Sequence, residues 1–109
     1  MPISPIQPQQ LRAWLDDKSQ APPVLIDVRE PWEVQICSIE NSLSMPMNSI
    51  ADQCAGLNPD AETVLICHHG ARSMQVALFL ERSGFNKLHN LSGGVDAWAR
   101  QVDPAMSTY

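Results

Sequence analysis

The chain has 109 residues, 44% of them hydrophobic, and a formal net charge of −5. That length suits one domain over residues 1–109, with a core from about 3 to 102 large enough to fold without staples and a short tail over 103–109. The acidic residues are scattered, not blocked, which argues against nucleic acid or an anionic membrane as partner.

Cys37, Cys54 and Cys67 form no even framework and no paired metal spacing. A disulfide scaffold is therefore not expected, and a reducing compartment is. The start, Met1-Pro2-Ile3-Ser4-Pro5, lacks both the basic residues and the apolar run of a leader, and no segment is long enough to span a bilayer. The expected location is cytoplasmic.

In chain order, Ile3 to Gln7 reads as a short edge strand, because Pro2 and Pro5 donate no ladder hydrogen bond. Pro8 suits the first turn of a helix to about Asp17, with Leu11, Trp14 and Leu15 at core spacing. Val24 to Val28 is an apolar run broken only by Asp27, as in a buried central strand. Glu30 to about Ile36 reads as a short helix with Pro31 in its first turn and Trp32 on its surface. Ser42 to Met45 reads as a short strand. Met47 to about Ala55 reads as a small helix with Ile50, Ala51 and Cys54 on one side.

Thr63 to Ile66 reads as a buried parallel strand and Ser73 to Arg82 as a helix, capped by Gly84. Lys87 to Leu91 is a further strand. Gly93-Gly94 turns the chain into a last helix, Val95 to about Gln101, with Trp98 facing inward. Asp103 to Tyr109 reads as a frayed tail. Strands alternating with helices place the chain in the α/β class with a parallel sheet.

The chemistry-bearing stretch is Cys67-His68-His69-Gly70-Ala71-Arg72, between the Thr63 strand and the helix that follows. A cysteine at the carboxyl end of a parallel strand lies at the edge where ligands bind in open α/β sheets. A tight loop into a helix turns N–H groups and the positive end of the helix dipole toward one point, which favours thiolate, the nucleophilic form. Gly70 lets the loop turn where a Cβ would clash. The bland reading of Cys67 is a small buried residue, the commoner fate of a free cysteine. Asp27 and Arg29, near the same edge, are expected to hold loops together by ion pairs. Cys37 is either a packing residue or a resolving thiol. His89 is expected to be structural. Adjacent His68 and His69 do not readily converge with Cys67 on one ion, so neither metal nor cofactor is expected.

Cys67 through Ser73, with Leu25-Ile26-Asp27-Val28-Arg29-Glu30 upstream and Asn90-Leu91-Ser92-Gly93-Gly94-Val95-Asp96-Ala97-Trp98 downstream, resembles a single-domain rhodanese, the thiosulfate sulfurtransferase family. The resemblance runs from about Ile3 to about Val102. It implies a five-stranded parallel sheet with helices on both faces, and a cysteine that carries sulfur as a persulfide. Cys67 matches the sulfur-carrying nucleophile, and His68, His69, Gly70, Ala71 and Arg72, with Ser73, match the substrate-binding loop. Where many members have Gly-His-Ile-x-Gly-Ala, this chain has Cys37-Ser38-Ile39-Glu40-Asn41-Ser42, and Asn41 is a residue able to take a left-handed conformation.

The implied partners are a small anionic sulfur donor and a thiol or cyanide acceptor, a thiol protein among the candidates, with the chain a monomer or homodimer. Arg72 either steers the donor or braces the loop by pairing with Glu30 or another acid. Thiosulfate-specialised members tend to carry Arg or Lys early in the loop. His68 and His69 in that place predict a donor affinity that improves as pH falls through the histidine range.

Two other readings compete. One is a non-catalytic rhodanese-like interaction or sulfur-carrier module, against which the intact cysteine speaks. The other is a cysteine phosphatase, whose loop has five residues between Cys and Arg where Cys67 and Arg72 have four. One residue fewer shrinks the ring of amides, so phosphate would crowd the sulfur while a single added sulfur atom fits. Release of an aryl alcohol from its phosphate ester should be undetectable by absorbance, and a glycine inserted after Gly70 should weaken use of thiosulfate.

Overall fold

The computed structural model describes residues 3–109. The expected break at Pro2 lies outside them. Five strands form one sheet: β1 (Ile3–Ile6), β2 (Val24–Asp27), β3 (Leu43–Ser44), β4 (Thr63–Ile66) and β5 (Leu88–Leu91). All pairings are parallel and the order is β1-β5-β4-β2-β3. Parallel neighbours need crossovers, supplied by α1 (Pro8–Asp16), α2 (Pro31–Ile36), α3 (Ile50–Gln53) and α4 (Ala71–Arg82). The last helix, α5 (Gly94–Gln101), follows β5.

Side chains alternate across the pleat, so β4 feeds two cores at once. Leu65, with Ile26 and Leu88, packs with Ile50 and with Val76, Ala77 and Leu80 of α4. Val64 and Ile66, with Leu25 and Leu91, pack with Leu11 of α1 and Val95 and Trp98 of α5. All four β4 residues are buried, as a continuous apolar run on a doubly covered strand requires. Among the described residues, no helix is long and apolar enough to cross a membrane.

Several expectations shift. The Met47–Ala55 helix is a single α turn between two 3-10 turns, Met47–Ser49 and Cys54–Gly56, and Ala51 is exposed while Ile50 is buried. Only Leu43 and Ser44 of the Ser42 strand pair with β2, because β3 is the sheet edge and Pro46 follows. Helix α4 begins at Ala71, not Ser73, so Ala71 and Arg72 belong to its first turn. Asn41 does take the left-handed conformation, with φ 68°.

The tail is not frayed. Met106 and Tyr109 pack against the α1/α5 core, and Val102 and Asp103 donate backbone hydrogen bonds to the Trp98 carbonyl. Burial of apolar side chains offsets the entropy of ordering this segment.

Helix α5 also holds the Cys67 loop. The N–H groups of Val95 and Asp96, orphan donors of its first turn, bond the carbonyls of Cys67 at 2.9 Å and His68 at 3.2 Å. This contact needs a glycine at 94, where φ is +60° and a Cβ would stand 2.3 Å from the Cys67 carbonyl oxygen. Gly94→Ala should therefore push loop and helix apart and cost about 2 kcal/mol or more of stability. Urea denaturation measures the loss, and an unchanged midpoint would show that the loop does not depend on this approach.

Candidate functional site

Cys67 follows β4 directly, and Gly70, with φ +111°, caps α4. The thiol is 1% exposed. The Gly70 N–H donates to Sγ at 3.0 Å, and the Ser73 hydroxyl lies 3.2 Å from it. Ser73 also lies 2.5 Å from Asn90 Oδ1 and 3.2 Å from the Gly70 carbonyl, so its single proton has three acceptors within reach. Asn90 Nδ2 donates to the Gly70 carbonyl at 3.1 Å and ties the loop to β5. Loop amide, hydroxyl and helix N-terminus thus meet at one sulfur, an arrangement suited to a sulfur anion.

The charged residues around this loop bond to one another. Arg29 is fully buried beside Asp27, with Nη2 to Oδ2 at 2.6 Å and Nε to Oδ1 at 2.9 Å. Its remaining donors reach the Cys37 carbonyl at 2.7 Å, the Glu33 carbonyl at 3.3 Å and the Tyr109 hydroxyl at 2.9 Å. Burial works against the Arg29 cation, but the bonds to Asp27 and Tyr109 outweigh it and raise its pKa. Asp27 and Arg29 therefore form a buried ion pair whose other bonds reach α2 and the tail.

Arg72 pairs with Glu33, not Glu30, through two bonds of 2.7 and 2.8 Å. The Glu30 side chain is at the exposed start of α2, while its N–H donates to Glu33 Oε2 at 2.9 Å. One turn of helix decides the outcome, because the third residue of α2 points back across its N-terminus toward the loop. Glu33 is 3% exposed and also accepts from the Tyr109 hydroxyl at 2.9 Å. The Arg72 bond lowers the Glu33 pKa from 4.5 to about 2, against the opposing effect of burial. With both guanidinium ends on one carboxylate, Arg72 braces the loop.

The two loop histidines occupy different surroundings. The His68 ring lies 3.9 Å, between centroids, from both His69 and Tyr109, and the tyrosine ring is stacked on it nearly parallel at 8°. Its Nε2 is buried without a hydrogen-bond partner among the described residues. Burial first, then His69, pushes the His68 pKa below its ordinary value, which disfavours the charged imidazolium. His69 is exposed and lies 3.8 Å from Asp96, which also holds Arg100 at 2.6 Å. His89 packs edge-on against Trp14 and meets Glu62 at 2.8 Å, away from the loop.

Sequence reasoning did not assign Glu33, Asn90 or Tyr109 to this region. A buried-strand asparagine among apolar neighbours and the Glu30/Glu33 spacing at a helix start are signals for the first two. Tyr109, alone in a short tail, carries none.

A strand-end cysteine held by a loop amide and a hydroxyl at a helix N-terminus thus stands at the edge of a five-stranded parallel sheet. Residues 7–101 match the rhodanese-like domain, and the chain belongs to that family. It is 36% identical to the chloroplastic rhodanese-like/PpiC domain-containing protein 12 of Arabidopsis thaliana, over 99% of this chain and 38% of that protein. It is 32% identical to thiosulfate sulfurtransferase GlpE of Pseudomonas aeruginosa, over 92% of this chain and 86% of that one.

The crystal structure of a rhodanese-like domain protein from Staphylococcus aureus superposes with a TM-score of 0.81 at 29% identity, over 87% of this chain and 90% of that one. The chain spans only 27 to 38% of some of the longer relatives it matches. Family and relatives together support sulfurtransferase chemistry in general.

The Glu33–Arg72 pair has a pH signature. A carboxylate whose pKa is lower folded than unfolded contributes stability that is complete above the unfolded value, near 4.5 here, and is lost as pH falls toward about 2. The contribution is about 2–3 kcal/mol. Glu33→Gln should remove most of the acid-side slope of stability between those limits, measured by denaturation at a series of pH values. An unaltered slope would place the acid sensitivity elsewhere.

Proposed function

We propose that this chain is a sulfurtransferase that carries sulfane sulfur as a Cys67 persulfide, with thiosulfate as a sufficient donor. The observation that supports this most directly is Cys67 Sγ held at 3.0 Å by the Gly70 N–H and 3.2 Å by the Ser73 hydroxyl. In the first half-reaction the Cys67 thiolate attacks the outer sulfur of thiosulfate. The new S–S bond forms as the old one breaks, and sulfite leaves with its electron pair. In the second, cyanide or a thiolate attacks the terminal sulfur, takes it, and returns Cys67 as thiolate. The Gly70 amide and the Ser73 hydroxyl stabilise the Cys67 thiolate, while Arg72 and Glu33 keep the loop in place.

A thiol acceptor, whether small or carried on a protein, fits a reducing compartment such as the cytoplasm. The four residues between Cys67 and Arg72 favour a single added sulfur over a phosphoryl group. After incubation with thiosulfate, intact mass spectrometry should show one added sulfur atom, removed by cyanide with release of thiocyanate. Cys67→Ser should abolish both. Thiocyanate production by the substituted protein at the original rate would overturn the assignment.

A further inference from the structure

The loop of a protein proposed to take an anion is surrounded by cations that are already spent. Arg72 is on Glu33, Arg29 on Asp27 and Arg100 on Asp96. His68, the ring next to the nucleophile, is covered by Tyr109.

Tyr109 does two things from one position. Its ring stacks on His68 at 3.9 Å and meets Trp32 edge-on at 6.0 Å. Its hydroxyl accepts from Arg29 Nη1 and donates to Glu33 Oε1, both at 2.9 Å, so it joins the two ion pairs into one chain. With Ser107 and Thr108 it lines a crevice also walled by Cys37, His68 and Val95.

We propose that Tyr109 is a specificity-determining, positioning residue of the Cys67 site: by covering His68 with its ring it keeps the loop free of added positive charge and so disfavours doubly charged sulfur donors relative to singly charged ones. The proposal rests on the sulfur-transfer reading of Cys67. Thiosulfate is a dianion, and methanethiosulfonate has nearly the same shape with one negative oxygen replaced by methyl. Either gives its outer sulfur to the Cys67 thiolate, with sulfite or methanesulfinate leaving.

The groups that bear on His68 are His69 beside it, Asp96 from α5, Glu33 from α2 and Tyr109 itself, with Arg29 and Arg72 behind Glu33 and the Tyr109 hydroxyl. Burial is the leading cause of its lowered pKa and His69 the second, while a bond to the Tyr109 backbone, then Asp96 and Glu33, favour the charged form. Once uncovered, the imidazole regains water next to two carboxylates and protonates in the ordinary histidine range.

The test compares KM for thiosulfate and methanethiosulfonate from pH 5.5 to 7.5 in the native chain, Tyr109→Ala, Tyr109→Phe, and Tyr109→Ala with His68→Gln. NMR titration of His68 runs alongside as a readout independent of turnover. In the native chain and in Tyr109→Phe, which keeps the stacked ring, the ratio of the two KM values should stay flat with pH. In Tyr109→Ala the KM for thiosulfate should fall about five-fold relative to methanethiosulfonate as pH drops, and His68 should titrate near its free value of about 6.5. The double variant should lose that gain.

The native KM ratio at every pH in Tyr109→Ala, or a His68 titration unchanged by the substitution, overturns the proposal even if activity is poor. If neither donor loads Cys67 in the native chain, the sulfur-transfer reading itself fails, a result distinguishable from an unchanged KM ratio in an active protein.

Discussion

A guanidinium with no solvent exposure is the constraint on which the site end of this molecule depends. Arg29 cannot leave its charge unpaired, since an uncompensated buried charge costs on the order of 3–5 kcal/mol. Asp27 supplies the counter-charge two residues earlier on the same chain, and the other donors go to carbonyls at Glu33 and Cys37. Satisfying one side chain thereby fixes the end of β2, the course of α2 and the loop beyond it. It also presents a donor to the Tyr109 hydroxyl, which anchors the tail.

Through that hydroxyl the buried pair is coupled to the exposed side of the loop. Charge-assisted bonds run from Asp27 through Arg29, Tyr109 and Glu33 to Arg72 on the first turn of α4. On the opposite flank the α5 amides grip the carbonyls of Cys67 and His68. The loop is therefore clamped at its start by backbone bonds and at its end by an ion pair. A thiol supported in this way keeps its geometry without help from a ligand.

Much of this is legible in the sequence, for physical reasons that differ by element. Thr63 to Ile66 is readable because a doubly covered strand must be apolar throughout, and Cys67 because it ends that strand before a glycine and a helix. The need for Gly94 is only half legible, since a Gly-Gly turn announces a tight bend but not the carbonyls that approach it. The choice of Glu33 over Glu30 depends on which side of a six-residue helix faces the loop, and periodicity over so short a span is weak. Tyr109 is invisible because its partners are 76 and 80 residues away along the chain. A tail with one aromatic looks the same whether it docks or frays.

The Asn90 amide holds the loop independently of the Ser73 proton. Its Nδ2 bond to the Gly70 carbonyl does not involve the Ser73 proton, so it persists whatever Cys67 carries. Its Oδ1 and Cys67 Sγ compete for that one proton. When Cys67 is a thiolate, the stronger acceptor draws the Ser73 hydroxyl toward sulfur, because bonds to an ionised partner are roughly twice as strong as neutral ones. In the proposed persulfide the negative charge moves outward to the terminal sulfur, Sγ becomes the poorer acceptor and the Ser73 hydroxyl turns to Asn90 Oδ1. The exchange needs only rotation about one C–O bond, and in neither arrangement is the Ser73 proton without an acceptor.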